Sequence, residues 1–282
     1  MILERDLRIS LMVMAIATAA LLASPAHAAQ CGNSADGFAP WLAGFRQEAA
    51  SEGISQQVIE TALGNVSYDR AIITRDRGQG VFRLSFEQFS HRLVTPARIA
   101  RGKSLLQSHA ALFRQIEQRY GVPGPVLVAI WGLETGFGAD NGKFQIFRSL
   151  ATLAYDCRRS ERFQAELIDA LKIVQRGDMS PSQMRGDWAG EIGQTQFLPS
   201  SYLKFAVDFN GDGTRDLIHD TTDVLASTAN FLQGSGWQRG AGWDEGQPNF
   251  AVLLEWNKAR VYAKTLAFFA DTLAGGAGRG GQ

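Results

Sequence analysis

The sequence lacks the means for several common kinds of site. Its 28 basic and 28 acidic residues give a formal net charge of +0. No basic field is therefore present to bind a polyanion by counterion release, and nucleic acid is not an expected partner. With four histidines and two cysteines in 282 residues, metal ligands are scarce. His91, His109 and His219 are scattered along the chain, and His27 falls in an N-terminal segment expected to be removed, so no zinc cluster and no Cys–His pair is implied. The glycine-rich stretches lack the strand-then-helix setting of a phosphate loop. Long alternating runs and internal repeats are both missing, which leaves room for a small sheet at most.

Only one segment approaches a long hydrophobic run. Arg5 and Arg8 precede an apolar stretch from Ile9 to Ala23, followed by Ser24, Pro25 and the small-residue pattern Ala26-His27-Ala28. This reads as a secretory signal peptide over residues 1–28. The stretch is shorter than the roughly 20 residues of a membrane span, although a short N-terminal anchor is the alternative. Nothing later is apolar enough to span a bilayer, so the mature chain is expected to carry no transmembrane segment. Cys31 follows Gln30 rather than a small residue, which fits a lipid anchor poorly and a soluble periplasmic monomer better. In an oxidising compartment the even count suggests a Cys31–Cys157 disulfide, with two free thiols as the alternative.

The remaining chain reads as helices joined by short turns. Ser104 to Tyr120 carries apolar residues at helical spacing, has Ser104 and Gln107 in capping-box positions, and stops at Gly121 and Pro123. Pro125 then opens an almost wholly apolar helix, Val126 to about Glu134. Ser160 to Arg176 and Thr222 to Gln233 read as amphipathic surface helices, and a last helix is expected from about Val252 to Leu273. The fold expected is mainly α: a helical N-terminal lobe over 29–101, a core over 102–274 and a flexible tail over 275–282.

Glu134 is the residue this pattern leaves unexplained. Eight uncharged residues lead to it, and Gly136 and Gly138 follow. Ile130 and Trp131, one turn earlier, share its face, and desolvation by such neighbours favours the protonated acid. A carboxyl kept protonated near neutral pH is what protonation of a glycosidic oxygen requires. On this segment alone a structural acid paired with arginine explains the residue equally well. A second stretch, Trp188-Ala-Gly-Glu-Ile-Gly-Gln-Thr-Gln196-Phe-Leu-Pro-Ser-Ser-Tyr202, mixes amides, hydroxyls and rings as sugar-binding grooves do. It also fits a polar turn before a helix capped by Ser200 or Ser201.

Together these stretches resemble the lytic murein transglycosylase B family, whose members carry Glu-Thr-x-x-Gly and a later Gly-x-x-Gln-Phe-x-Pro-Ser-Ser-Tyr. The resemblance is dense from Gly121 to Gly240 and from Pro248 to Ala274. It implies a lysozyme-like catalytic domain with small or no β-sheet, acting on peptidoglycan glycan strands. It further implies Glu134 as acid and then base, Gln196 and Phe197 lining the groove, and Asn257 and Tyr262 in an element that closes the site. Arg158 and Arg159 match a pair that approaches peptide or lactyl carboxylates, although charges flanking a helix start are common on solvated faces. Phe231 stands where relatives carry tyrosine, which leaves stacking only. The link from Gly242 to Pro248 is shorter than in relatives and implies a more open cleft.

Residues 208–223 carry a third pattern. Asp208, Asn210, Asp212, Thr214 and Asp216 occupy positions one, three, five, seven and nine of a calcium-binding EF-hand loop, with Gly213 at six. Position twelve is His219, a poor ligand for a hard cation, and Asp223 is the residue that would close the site instead. A metal-free turn rich in aspartate is the alternative. Structural calcium is thus the one bound ion suggested, and no cofactor is expected for the chemistry. Glu191 reads as a solvent-facing loop residue. It is also the acid that would serve as second carboxylate if the enzyme were a hydrolase.

Overall fold

The computed structural model describes residues 30–78 and 84–276. The expected signal peptide lies outside the described residues, as does the tail beyond Gly276. Among the described residues are thirteen α-helices and one sheet, an antiparallel pair of two-residue strands, β1 (Phe144–Gln145) and β2 (Arg185–Gly186). No described helix is long and apolar enough to cross a membrane.

The helices bury their apolar faces in two cores. The first gathers α1 (Phe38–Ser51), α2 (Gln56–Leu63) and α3 (Arg70–Arg77) against α8 (Ile146–Tyr155), α9 (Ser160–Gln175) and α10 (Pro199–Phe205). The second surrounds α7 (Gly124–Thr135) with α4 (Phe86–Leu93), α5 (Pro96–Ser108), α6 (Ala110–Tyr120), α11 (Thr221–Gly234), α12 (Phe250–Trp256) and α13 (Arg260–Leu273). Residues 29–101 thus contribute to both cores. Phe231 and Trp256, each partly buried, pack against both, so the seam between the cores runs beneath these two rings.

The all-apolar sequence of α7 explains its central place. Val126, Leu127, Val128, Ala129 and Ile130 are fully buried, and burying each valine, leucine or isoleucine among them contributes about 1.5–3 kcal/mol. Neighbouring helices approach closely where side chains are small: a Cβ on Gly102 of α5 would lie 2.8 Å from Leu273 of α13.

Two expected helices are each divided. Ser104 does not cap a helix but sits inside α5, whose N-cap is Thr95, with its hydroxyl accepting from the Arg98 N–H and Pro96 following. His109 separates α5 from α6. The stretch from Val252 to Leu273 breaks after Trp256, where the Asn257 side chain accepts from the Ala259 N–H at 3.0 Å. The remaining boundaries agree within about two residues. Cys31 and Cys157 form the disulfide, with Cα atoms 4.9 Å apart. Beside it the Gly32 N–H donates to the Tyr155 carbonyl at 2.9 Å.

Candidate active site

Glu134 lies in the last turn of α7, and its position is fixed by how that helix ends. Gly136, Phe137 and Gly138 all adopt left-handed backbone, with φ of 60, 65 and 76°. For phenylalanine this conformation is costly and persists only where the surroundings impose it. Here the Thr135 hydroxyl accepts from the Gly138 N–H and donates to the Gln194 carbonyl, while the Phe137 ring packs edge-on against Trp131. The sharp reversal leaves the Glu134 side chain half-buried at the cleft floor.

Both hydrogen bonds to Glu134 reach the same oxygen. Trp256 Nε1 donates to Oε1 at 2.9 Å, and the Tyr262 hydroxyl donates to Oε1 at 2.5 Å. Burial raises the pKa of the carboxyl; the Tyr262 and Trp256 hydrogen bonds oppose that, and the charge of Asp187 adds to it. With Oε1 doubly engaged as acceptor, Oε2 is the oxygen free to carry a proton toward a ligand. The break between α12 and α13 makes this geometry: Trp256 ends one helix, Tyr262 lies in the first turn of the next, and a continuous helix would not supply the turn held by Asn257.

The cleft above Glu134 holds about 420 Å³, with Glu191, Gln196, Phe197, Phe231, Trp256 and Asn257 among its walls. Gln196 is the second non-glycine residue in left-handed backbone, with φ of 56°, and its amide Nε2 donates to the Gly193 carbonyl at 2.7 Å. Phe197 is almost wholly buried within that wall, edge-on to Phe231 and Trp256. Phe231 in turn meets Trp256 at 5.0 Å between ring centres, so its ring supports the indole that donates to Glu134. Neither Ser200 nor Ser201 caps α10: the N-cap is Leu198. The Glu166 carboxylate of α9 accepts from the Ser200 N–H and hydroxyl and holds the start of that helix.

Three expectations need correction. Glu191 does not face solvent; it is half-buried and lines the cleft with Glu134. Burial first, then the charges of Glu134 and Asp187, push its carboxyl up to about 8. Arg158 and Arg159 are not a free pair on a solvated face: both are bonded to the carboxylate of Asp76, a residue of α3 that is 4% exposed. Arg159 also reaches the cleft wall, whereas Arg158 lines only the neighbouring hollow beside the disulfide. Asp223 does not turn toward the 208–216 loop as a free ligand. Its two oxygens accept from the N–H groups of Phe209 and Asp216 and brace the ends of the loop.

Within that loop, Asp208 accepts from the N–H groups of Gly211, Asp212 and Gly213, Asp212 from Thr214, and Asp216 from Ile218 and His219. The donor types suit calcium, but the arrangement is a self-capped turn. No group of three or more acidic, histidine or cysteine side chains gathers as round a metal ion among the described residues. Asp220, which follows the loop and was not expected to take part in it, accepts from the Asn210 amide at 2.6 Å.

The sequence reading gave no site role to Trp256, Gln194 or Arg162. Gln194 joins the segment around Ile218 to α7: Trp131 Nε1 donates to its Oε1 at 2.9 Å, and its Nε2 donates to the Ile218 carbonyl at 3.0 Å. Arg162 lines both hollows and has no carboxylate within ion-pairing distance among the described residues. The aromatic and amide content of their segments was the only available signal.

A mainly helical fold that sets a half-buried glutamic acid beneath a cleft of rings, amides and hydroxyls defines the class, that of the lysozyme-like proteins. The chain belongs to the transglycosylase SLT domain family, whose family model matches residues 37–247. It is 36% identical over 154 residues to the membrane-bound lytic murein transglycosylase B of Escherichia coli (strain K12), a match over 54% of this chain and 42% of that protein, so the chain spans less than half of that relative's length. The solved structure of SltB3 from Pseudomonas aeruginosa in complex with NAG-NAM-pentapeptide superposes with a TM-score of 0.81 at 33% identity, covering 87% of this chain and 81% of that one. The Escherichia coli lytic transglycosylase Slt35, solved in complex with calcium, gives 0.75 at 25% identity over 87% and 96% of the two chains.

Proposed function

We propose that the chain is a peptidoglycan lytic transglycosylase that cleaves the β-1,4 bond from N-acetylmuramic acid to N-acetylglucosamine. The observation that carries this reading is the state of Glu134, a buried-floor acid whose Oε1 accepts from Trp256 and Tyr262 while Oε2 is left for the proton. Glu134 donates that proton to the bridging oxygen as the C1–O bond breaks, and the N-acetylglucosamine leaves with a restored 4-hydroxyl. The resulting carboxylate then removes the proton from the C6 hydroxyl of the same N-acetylmuramic acid residue as O6 bonds to C1. A 1,6-anhydro end forms, Glu134 regains its proton, and water is not consumed.

A muramidase shares the cleft but needs an ionised second carboxylate as base or nucleophile. Glu191 is the candidate by position. Its carboxyl is pushed up to about 8 and accepts no hydrogen bond from the described residues, which makes it a neutral acid at neutral pH and a poor base. This favours the intramolecular nucleophile over water.

The reading places the enzyme in the periplasm as a monomer acting on glycan strands. The pattern of residues 1–28 and the Cys31–Cys157 disulfide support an exported protein. Gln196, Phe231 and Asn257 are read as the sugar-binding wall, with Phe197 buried within it and Arg159 at its rim. Loop 208–223 is read as a structural calcium loop, held by Asp208, Asn210, Asp212, Asp216 and the Thr214 carbonyl. No step of the reaction uses the ion.

The test is digestion of purified sacculi. The parent releases fragments one water lighter than hydrolytic products, and Glu134→Gln, which cannot donate a carboxylic proton, releases none. Clearing by the variant at the parent rate rejects Glu134 as the acid, and reducing ends without the loss of water reject the transglycosylase mechanism.

A further inference from the structure

Glu191 has a feature that the single-acid mechanism leaves unused. Its main chain is pinned on both sides: the Asp187 N–H donates to the Glu191 carbonyl at 3.2 Å, and Ile192 exchanges backbone hydrogen bonds with Phe197 at 2.7 and 2.9 Å. On the other flank, Gly190 at φ 86° turns back to Asp187, donating its N–H to that carbonyl at 3.1 Å. A side chain on Gly186 would lie 1.7 Å from the Glu191 carbonyl oxygen, so the two segments are in closest contact. From this rigid base the carboxyl projects into the cleft that holds Glu134 and finds no hydrogen-bond partner among the described residues.

A half-buried carboxyl without a partner is costly, and the cost is recovered when a ligand supplies the missing bond. The titratable groups that act on it are Glu134, Asp187, Arg162 and Glu166, and Tyr262 lies near enough to feel its charge. A wall with several acids and one arginine disfavours an anionic ligand group, and a neutral carboxyl is a hydrogen-bond donor as well as an acceptor. We propose that Glu191 is a second substrate-contacting group of the cleft, donating a hydrogen bond to a neutral oxygen, hydroxyl or acetamido carbonyl, of the amino sugar bound beside Glu134. The inference rests on the transglycosylase reading of that cleft.

The experiment compares parent, Glu191→Gln, Glu191→Leu and Glu134→Gln on a soluble tetrasaccharide of alternating N-acetylglucosamine and N-acetylmuramic acid. At pH 6.5 the Gln variant, whose amide N–H replaces the donor, keeps kcat/KM within about threefold of the parent. The Leu variant loses about tenfold, the scale of one hydrogen bond, mainly in KM. Between pH 7 and 9 the parent's KM rises as the carboxyl loses its proton, and that of the Gln variant stays level. A Leu variant with the parent's kcat/KM overturns the proposal, as does a Gln variant impaired as deeply as Leu. Should the Leu variant fail to fold, the KM profiles of parent and Gln decide, and coincident profiles overturn the proposal. If Glu134→Gln is inactive while Glu191→Leu matches the parent, only the Glu191 inference fails; if Glu134→Gln is active, the catalytic reading fails with it.

Discussion

Tyr262 and Glu134 stand 128 positions apart in the chain, and the tyrosine hydroxyl donates to the same carboxyl oxygen that accepts the indole N–H of Trp256. The two bonds anchor Oε1 and leave Oε2 without a hydrogen bond from the described residues. The hydrogen bond also lowers the pKa of Glu134 against the larger effect of burial.

Tyr262→Phe keeps the ring and removes the hydroxyl. Turnover is expected to fall by about 10²-fold, the usual scale for loss of one donor to a charge that develops during reaction. The sign for pH follows from which form the bond favours: the hydroxyl stabilises the carboxylate, so without it Glu134 binds its proton more tightly. The alkaline limb of the kcat profile then moves to higher pH. A limb that moves down would show that the bond does not favour the carboxylate.

Asp76 holds Arg158 and Arg159 from a helix more than eighty residues away in sequence. Asp76→Ala leaves two cations without their acceptor. Because both arginines are partly open to solvent, with side chains 47% and 32% exposed, the expected loss is about 1–3 kcal/mol rather than the larger cost of breaking a fully buried pair. Denaturant melts measure it. Activity at 25 °C should persist while Arg159 is free to swing, and an unchanged midpoint would remove the clamp from the stability of the fold.

Calcium should act on stability alone. A loop with millimolar to sub-millimolar affinity gains about 1.4–2.7 kcal/mol at 10 mM ion, which is a rise of a few degrees in melting temperature. The Asp212→Asn variant, of the same shape and lower charge, should lose the rise, while kcat remains unaltered by calcium or chelator. The absence of any shift at 10 mM in the parent would reject the calcium reading of the loop.

The sequence made α7 and its acid legible because both signals are local: an uninterrupted apolar run, then Gly136 and Gly138 to end it. The divided last helix was not legible, since the apolar stripe runs on at helical spacing through the Asn257 turn and only a side-chain cap marks the break. Ser104 and Gln107 satisfied the capping-box spacing by chance inside α5, while the true start, Thr95 before Pro96, was equally visible. Glu191 looked exposed because glycines and polar residues surround it. What draws it into the cleft is the pairing of Ile192 with Phe197 and the approach of Glu134 on α7, both products of tertiary structure. The partner of Arg158 and Arg159 was hidden for the same reason: nothing near Asp76 in sequence marks it as their acceptor.

The disulfide encloses a span of 126 positions that includes Glu134 and leaves out Gln196, Trp256 and Tyr262. Any single cut of the backbone between Gly32 and Asp156 therefore yields two pieces that stay covalently joined. Glu134, Gln196, Trp256 and Tyr262 therefore stay on one covalently joined molecule after one such cut, and a protease must cut outside the ring, or twice within it, to release any part of the chain.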